Sequence, residues 1–457
     1  MKKFFAVFAM AACACCVSRS GEIKFDESAE IFSNPGQGFA CSSARYPENR
    51  ITYGAGYKRF EWSRLQPSEN TYDWSPIDKE IEYFSKIGLP FYFRIMCTNF
   101  HSSGKYSTPK WVFDKGAKYH EFKGVEYKTP DGEKSDVHIS AYFDDPIFIE
   151  EHEKFIKALA ARYDGDPHIG GIDLGSYGNW GEWHCVCLGL GKGVVRPHSL
   201  EIRRRYANMY LDNFRKSDLF FMTDDYETLG YVLGAGEKIR VGMRRDSIGS
   251  PWHFERWVDT PPYNKIKRIA DVWKHKPIFF EFVDQANALH EKGWDIIYSC
   301  DWMLKYNVSL VHEIPLIPEQ VKDKKELLAL QKVERYAGAR LVPEKARVEC
   351  EGGTIKVRVE GVNKGVSKIY LPYEFAYELR DRAGNVVAEK ISAKNPGSIL
   401  PGKFVLSDEF KADLKGGETY FLSLRVRHIP KVFKDFRFAS KNLTKDGALD
   451  LGNVKIK

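Results

Sequence analysis

Two tryptophans flank a single carboxylate in the segment Trp180-Gly-Glu-Trp-His184. This segment follows the apolar run 169–174, so it lies where a buried strand gives way to a loop. Tryptophan faces are surfaces on which sugar rings stack, and a carboxyl group that is shielded from water keeps its proton more readily. These residue types predict a carbohydrate site in which Glu182 donates a proton.

Hydrolysis of a glycosidic bond needs a second carboxyl group on the other side of that bond. Glu281 ends the apolar run 277–281 and is the predicted partner of Glu182. Glu313 ends the run 309–313 and is a rival for the same role. The sequence leaves the choice between Glu281 and Glu313 open.

The two carboxyl groups need opposite protonation states at neutral pH. Burial against Trp180 and Trp183 is expected to keep Glu182 protonated, because desolvation penalises the charged form. The partner carboxylate must be ionised, and Arg59 or Arg94 is expected to hold it so through opposite charge.

Other polar residues stand at or after the ends of predicted strands and are candidates for binding substrate. The predicted substrate-binding set is Arg59, Glu61, Arg94, Asn179, Trp180, Trp183, His184, Asp224, Asp225, Arg244 and Glu313. Three alternatives stay open within or beside this set. An Asp-Asp pair at a strand end is also a common helix N-cap. Neighbouring arginines 244 and 245 cannot both point inward from a strand, and a salt bridge is the alternative role for the inward one. Trp62 is either a further stacking surface or part of the barrel wall.

Short apolar runs alternate with helical stretches from about residue 34 to residue 315, which indicates repeated βα units. The eight predicted strands are 38–40, 57–62, 90–96, 169–174, 219–223, 239–243, 277–281 and 309–313. Eight such units predict a (β/α)8 TIM barrel, whose active site lies at the carboxyl ends of its strands. The polar stretch 98–145 interrupts this pattern and is predicted to form one wall of the cleft.

From about residue 346 the apolar residues alternate with polar ones, and Gly and Asn turns separate the alternating stretches. This pattern predicts an antiparallel β-sandwich. We therefore divide the chain into a leader at 1–20, a barrel domain at 21–335 and an accessory β-sandwich domain at 336–457.

The segment from Phe60 to Asp78 resembles the region around strand two of clan A glycoside hydrolases. In β-galactosidase-like members a Trp, a Pro, a Tyr-x-Trp and an Ile-Asp recur at the spacing seen here. The resemblance covers the barrel and implies a retaining hydrolase with a glutamate acid/base after strand four and a glutamate nucleophile at the end of strand seven. By position, these are Glu182 and Glu281. Members of the clan have Asn immediately before the acid/base, where this chain has Gly181.

Charge and motifs exclude several other classes of protein. The net charge is +7 and the basic residues are spread along the chain, which argues against nucleic acid as a partner. The segment His184-Cys185-x-Cys187 lacks the ligand spacing of a zinc site, and no Walker or dinucleotide motif is present. The sequence therefore predicts neither a metal nor a cofactor, and its predicted partner is an oligo- or polysaccharide.

The first residues are typical of an export signal. Lys2 and Lys3 precede an apolar stretch at 4–12 that is too short to span a bilayer. Ala12-Cys13-Ala14 fits a signal-peptidase site, whereas Met10-Ala-Ala-Cys13 resembles a lipoprotein box that would lipidate Cys13. Both interpretations predict a bacterial protein that is periplasmic, anchored in the outer membrane or secreted.

Three hypotheses follow for function. The first is a retaining glycoside hydrolase acting on a bacterial, plant or host glycan that contains galactoside. The second, motivated by Gly181, is a catalytically inactive carbohydrate-binding barrel. The third is a hydrolase of another bond that uses Asp224, Asp225 and a metal.

Overall fold

The computed structural model describes residues 18–19, 21–44, 52–188, 198–236, 238–312 and 321–455. The predicted leader falls largely outside these residues, as does Glu313. The strands of the described residues are β1 Ser18–Arg19, β2 Ile23–Lys24, β3 Gly38–Cys41, β4 Tyr53–Glu61, β5 Phe91–Met96, β6 Tyr119–Lys128, β7 Lys134–Ala141, β8 Ile169–Asp173, β9 Leu219–Met222, β10 Val241–Ile248, β11 Ile278–Phe282, β12 Leu310–His312, β13 Leu341–Glu351, β14 Thr354–Asn363, β15 Tyr373–Arg380, β16 Val386–Ile391, β17 Gly402–Lys411, β18 Thr419–His428 and β19 Leu449–Lys455.

Helices connect the parallel strands and pack around them. They are α1 Trp62–Leu65, α2 Ser75–Lys86, α3 Lys110–Asp114, α4 Pro146–Tyr163, α5 Leu200–Asn213, α6 Tyr226–Gly234, α7 Pro251–Phe254, α8 Val272–His275, α9 Ala286–Glu291, α10 Ile296–Lys305 and α11 Lys324–Tyr336. The longest, α4, begins where the Asp145 side chain accepts hydrogen bonds from the backbone N–H groups of Ile147 and Phe148. Such a cap satisfies amide groups that the first helical turn leaves unpaired.

Eight parallel strands close into a barrel in the order β3, β4, β5, β8, β9, β10, β11 and β12. The predicted TIM barrel is therefore confirmed. Strands such as β5, Phe-Tyr-Phe-Arg-Ile-Met, are buried along their whole length, as parallel strands covered by helices on their outer face must be. The sixth strand differs from its prediction, because β10 continues to Ile248 and places residues 244–246 inside the strand.

The barrel interior is built in layers, because every second residue of a strand points inward. An aromatic floor fills the lower layer and consists of Tyr57, Tyr92, Phe220 and Phe279. Nearer the carboxyl ends of the barrel strands the next layer is charged. Its members are Arg59 and Arg94, Asp173, Arg244, Glu281 and His312. The guanidinium carbon of Arg244 lies 4.2 Å from the ring centre of Tyr57 and 4.3 Å from that of Phe279, so the charged layer rests directly on the floor.

The predicted insertion forms helix α3 and the antiparallel hairpin of β6 and β7. The Phe122 ring of this hairpin lies 4.6 Å from that of Phe100, and Phe100 lies 5.5 Å from Trp180. The insertion therefore supports the Trp180 side of the barrel mouth.

Two antiparallel sheets follow the barrel, which confirms the predicted sandwich. One contains β17, β14 and β13, which β1 and β2 extend, and the other contains β16, β15, β18 and β19. Hydrogen bonds join the sandwich to the barrel. The Gln37 Nε2 donates to the carbonyl of Ala339 at 2.8 Å, and the Asn34 Nδ2 donates to that of Arg437 at 3.2 Å.

The cysteines of the described chain carry free thiols. Cys41, Cys97, Cys185, Cys300 and Cys350 are buried and Cys187 is half-buried. Among the described residues, no helix combines the length and apolar character that crossing a membrane requires.

Candidate active site

A cavity of about 880 Å³ opens at the carboxyl ends of the barrel strands. Glu182, in the loop after the fourth barrel strand, and Glu281, on the seventh, both line it. The rest of the lining combines aromatic and titratable side chains, as ligand sites usually do. It includes Arg59, His101, Trp180, His184, Asp224, Asp246, Trp252, His253 and Asp284.

One guanidinium lies between the two glutamates. The Arg59 Nη1 is 3.4 Å from the Oε1 of Glu182, and its Nη2 is 3.3 Å from the Oε1 of Glu281. Because the two terminal nitrogens belong to one planar group, the two carboxylates face each other across it. The structure thus brings together the two glutamates predicted to act as a pair.

Glu182 is held as an anion. Its Oε1 accepts a hydrogen bond from the Arg94 Nη1 at 2.8 Å, and its Oε2 lies 3.6 Å from the His184 Nε2. Burial favours the neutral acid, but the ion pair with His184 and the charge of Arg94 outweigh it and lower the pKa of Glu182 to about 2. The expectation that tryptophans keep Glu182 protonated is therefore wrong, since Arg94, Arg59 and His184 all contact its oxygens.

Glu281 is also held as an anion. Its Oε2 pairs with Arg244 and lies 3.1 Å from the His312 Nδ1. Burial opposes ionisation, but the charge of Arg59, the hydrogen bond with His312 and the charge of Arg244 together lower the pKa of Glu281 well below its usual range. Glu281 is thus the ionised partner that the sequence predicts, held by Arg59 as expected and not by Arg94.

Asp173 fixes the arginines beneath the cleft. Its Oδ2 accepts hydrogen bonds from the Tyr57 hydroxyl at 2.7 Å and the Arg94 Nε at 2.9 Å, and it lies 3.5 Å from the Arg244 Nε. One buried carboxylate therefore orients the two guanidinium groups that hold Glu182 and Glu281. Sequence reasoning missed Asp173, although an aspartate inside the apolar run 169–174 was a visible signal.

The loop that carries Glu182 has an unusual backbone. Trp180, Gly181 and Trp183 have φ angles of 50°, 72° and 62°. A Cβ on Gly181 would lie 1.8 Å from the carbonyl oxygen of Gly175. No side chain fits there, so the loop requires glycine at the position where the related hydrolases have asparagine.

Substitution of Gly181 by alanine is expected to lower the free energy of unfolding by about 2–4 kcal/mol, since it combines overpacking with a strained φ. Urea denaturation measures this loss. The control is G234A, because Gly234 is exposed near the end of α6 and a Cβ there meets nothing within 4 Å. Equal stabilities of G181A and G234A would contradict this account of the loop.

The two loop tryptophans have different roles. Trp180 lines the cleft and stacks on His101, with ring centres 5.6 Å apart. Trp183 is fully buried, donates from Nε1 to the carbonyl of Leu174 at 2.6 Å and packs on Phe221. The predicted substrate contact of Trp183 is therefore wrong, because the side chain folds into the core.

Trp62 faces the barrel wall. It is fully buried, and its ring centre lies 4.7 Å from that of His152 on α4. Of the two roles that the sequence left open for Trp62, the structure shows the second, as part of the barrel wall.

The two aspartates after the fifth barrel strand also have different roles, one in the cleft and one in the interior. Asp224 lines the cleft, as predicted. Asp225 is fully buried, accepts a hydrogen bond from the Thr228 backbone N–H at 3.2 Å and pairs with Arg203. The N-cap alternative is confirmed for Asp225, and its predicted contact with substrate is wrong.

Several other predicted contacts with substrate are also corrected. Arg94, Arg244 and Asn179 are fully buried and do not line the cleft. The two arginines hold glutamates, and the backbone N–H of Asn179 donates to the carbonyl of His184 at 2.7 Å. Glu61, which accepts a hydrogen bond from the Asn99 Nδ2 at 2.8 Å, is not a lining residue either. Arg59, Trp180 and His184 are correctly placed in the cleft, and Glu313 lies outside the described residues.

Several of the cleft residues that the prediction missed come from β10 and the segment after it. Asp246 follows Arg244 by two positions in β10 and therefore points to the same interior face. Burial, together with the charges of Glu182 and Asp224, raises the pKa of Asp246 well above its usual range. Trp252 and His253 lie on the short helix α7, for which the sequence offers no periodic signal.

Residues 54–187 match the family profile described as Beta-galactosidase, glycoside hydrolase family 42. The resemblance found in the segment 60–78 is thereby confirmed, and the matched range includes Glu182. The chain is also similar to the β-galactosidase BgaH of Haloferax lucentense, with 26% identity over 114 residues. That alignment covers 24% of this chain and 15% of the relative, so the chain spans a small part of the curated protein it matches.

Solved glycosidase structures resemble the chain at low identity. Endo-glycoceramidase II from Rhodococcus sp. is 10% identical, with 82% of this chain and 97% of that chain covered and a TM-score of 0.42. The β-galactosidase from the psychrophilic Marinomonas ef1 is 12% identical, with 65% and 59% covered and a TM-score of 0.40.

Proposed function

We propose that this protein is a retaining glycoside hydrolase in which Glu281 is the nucleophile and Glu182 the acid/base. The observation that carries the proposal is the pair itself, two buried glutamates joined by the Arg59 guanidinium in an open cleft. A separation of about 5–5.5 Å suits double displacement, whereas inverting enzymes need room for a water between the carboxyl groups. Two carboxylates that contact one guanidinium favour the shorter arrangement.

Glu281 supplies the attacking oxygen. Because its pKa lies well below the usual range, it is ionised at neutral pH. Attack on the anomeric carbon forms a covalent glycosyl ester and expels the leaving oxygen. Arg244 and His312 fix the carboxylate through Oε2, which leaves Oε1, on the Arg59 side, as the attacking atom.

The proton for the leaving group comes from the pair of Glu182 and His184. Burial works against the imidazolium, but the ion pair with Glu182 outweighs it and raises the pKa of His184 above its ordinary value. The pair therefore holds a proton near neutral pH, 3.6 Å from the carboxylate oxygen that needs it. His184 passes this proton to Glu182 as the leaving oxygen develops charge, and water returns it in the second step.

The similarity to enzymes named β-galactosidases supports a β-galactoside as the substrate class. Trp180 offers its ring to a sugar face at the side of the cleft supported by the insertion. We also propose that the protein is exported. Polymeric glycans are available to a bacterium outside its cytoplasm, where an exported hydrolase would meet them.

The variant E182Q tests the acid/base role. Glutamine keeps the size of the side chain but cannot transfer a proton, so hydrolysis of a methyl β-galactoside should slow by about 10²–10⁴-fold. Hydrolysis of 4-nitrophenyl β-galactoside should slow much less in its first step, because nitrophenolate leaves without a proton. Stopped-flow and steady-state rates measure both, and NMR of the first-formed anomer tests retention.

An alternative, that the barrel binds glycan without cleaving it, has one observation in its favour. Arg94 stabilises the anion of Glu182, which is the wrong protonation state for a general acid. Binding of galactosides by the wild-type chain, without any product, would support this alternative and reject the hydrolase.

A further inference from the structure

Three titratable side chains from separate elements converge beside Glu182. Asp224 follows β9, Asp246 lies in β10 and His253 lies on α7. One oxygen from each aspartate and one ring nitrogen from the histidine all lie within 4.8 Å of one another. All three residues line the cleft, so the cluster is reachable from solvent.

Two atoms of this cluster point to a ligand. Asp246 is only 9% exposed, and its Oδ1 makes no hydrogen bond to any described residue. The Nδ1 of His253 is likewise buried and makes no hydrogen bond within the described chain. Buried polar atoms are almost always paired, because an unsatisfied one costs about 1–3 kcal/mol.

We propose that Asp224, Asp246 and His253 form a binding site for one divalent first-row transition-metal ion, Zn²⁺ or Mn²⁺. Two carboxylate oxygens and one imidazole nitrogen are a donor set that these ions accept, whereas Ca²⁺ and Mg²⁺ prefer oxygen alone. Three protein ligands leave at least one coordination position open toward the cleft. That arrangement is typical of metal sites that bind a water or a substrate.

The charges around the cluster allow a cation. The Arg245 Nη1 lies 3.4 Å from the Asp224 Oδ1 and offsets one negative charge. Asp246 is the remaining carboxyl group, in contact with Glu182, whose own charge Arg94 and Arg59 already pair. Two carboxyl groups in contact repel each other when both are ionised, so a bound ion would allow Asp246 to ionise beside Glu182.

The open position would take a pair of neighbouring sugar hydroxyls, next to the bond that Glu182 and Glu281 flank. This consequence rests on the proposed function, whereas metal binding itself does not. No sequence motif marks such a site, because its ligands lie on three elements that only the barrel brings together.

The test is metal titration of the purified full chain after treatment with a chelator and dialysis. Electron paramagnetic resonance of free Mn²⁺ and calorimetry with Zn²⁺ should each give one ion per chain. D246N and H253Q should each weaken binding about tenfold or more, since each removes a ligand. The control D284N, which removes another cleft carboxylate paired with Lys292, should bind as the wild type does.

Thermal unfolding of each variant shows which of them are folded. If D246N is not folded, the affinity of H253Q for the ion decides the outcome. Absence of binding by the wild type, or affinities unchanged in both variants, would overturn the proposal. E281Q separates it from the proposed function, because that variant should bind the ion as tightly as wild type while losing hydrolysis. A chain that binds the ion and cleaves no glycan keeps the metal site and rejects the hydrolase.

Discussion

Replacement of Glu281 by glutamine is expected to lower kcat on 4-nitrophenyl β-galactoside by about 10³-fold or more. The amide keeps contact with its neighbours but cannot form the glycosyl ester, and the loss corresponds to roughly 4 kcal/mol of transition-state stabilisation. The substrate needs no proton for its leaving group, so E281Q should slow the first step, formation of the glycosyl ester, far more than E182Q does. Stopped-flow rates of nitrophenolate release by both variants measure the difference.

The variant E281G, which lacks the side chain, adds a test that gains activity instead of losing it. The lost carboxylate leaves room for azide, which should restore turnover and yield a glycosyl azide of inverted configuration. The control is D271N, since Asp271 is an exposed carboxylate that contacts Lys274 at 2.7 Å outside the cleft. Wild-type rates in E281Q would exclude Glu281 as the nucleophile.

Replacement of Arg94 by methionine is expected to lower the free energy of unfolding by about 3–5 kcal/mol, the usual cost of removing one partner from a buried ion pair. Arg94 is fully buried and holds Asp173 at 2.9 Å and Glu182 at 2.8 Å, so its loss removes the shortest cationic contact of two buried carboxylates. Urea denaturation measures the loss. R64M is the matched control, because the Arg64 side chain is 62% exposed and its contact with Glu61 is long, at 3.8 Å.

The destabilisation of R94M should depend on pH in a defined direction. The folded-state pKa of Glu182 is lowered from an ordinary 4.5 to about 2, so its ionised form stabilises the fold above pH 4.5. That contribution is lost as the pH falls from about 4.5 to about 2. The difference between wild type and R94M should therefore be largest near neutral pH and shrink in acid. A difference that is constant from pH 7 to pH 3 would mean that Arg94 acts through packing alone.

The barrel could be predicted because its strands are apolar runs whose ends are marked by polar residues. Glu182 was found in the loop after the fourth barrel strand, and Glu281 was found near the end of the seventh. Asp246 was not included in the predicted site because β10 continues to Ile248, beyond its apolar part, and carries three consecutive charged residues within the strand.

The direction of loop side chains was not predictable from residue type. Trp180 and Trp183 stand on either side of Glu182 in the sequence, yet only Trp180 reaches the cleft. Their positive φ angles turn the chain at each tryptophan, and the sequence pattern holds no signal for that turn. Gly181 was read as a departure from the related hydrolases, whereas the structure gives it a steric reason.

The aromatic floor has a consequence for how the cleft is solvated. Tyr57, Tyr92, Phe220 and Phe279 close the barrel below the charged layer, so water and mobile ions approach that layer from one side only. Dissolved salt screens charges over about 8 Å at physiological ionic strength, but only where ions can enter. The electric field that Arg94 and Arg244 exert on the two glutamates is therefore set when the chain folds and changes little with the ionic strength outside.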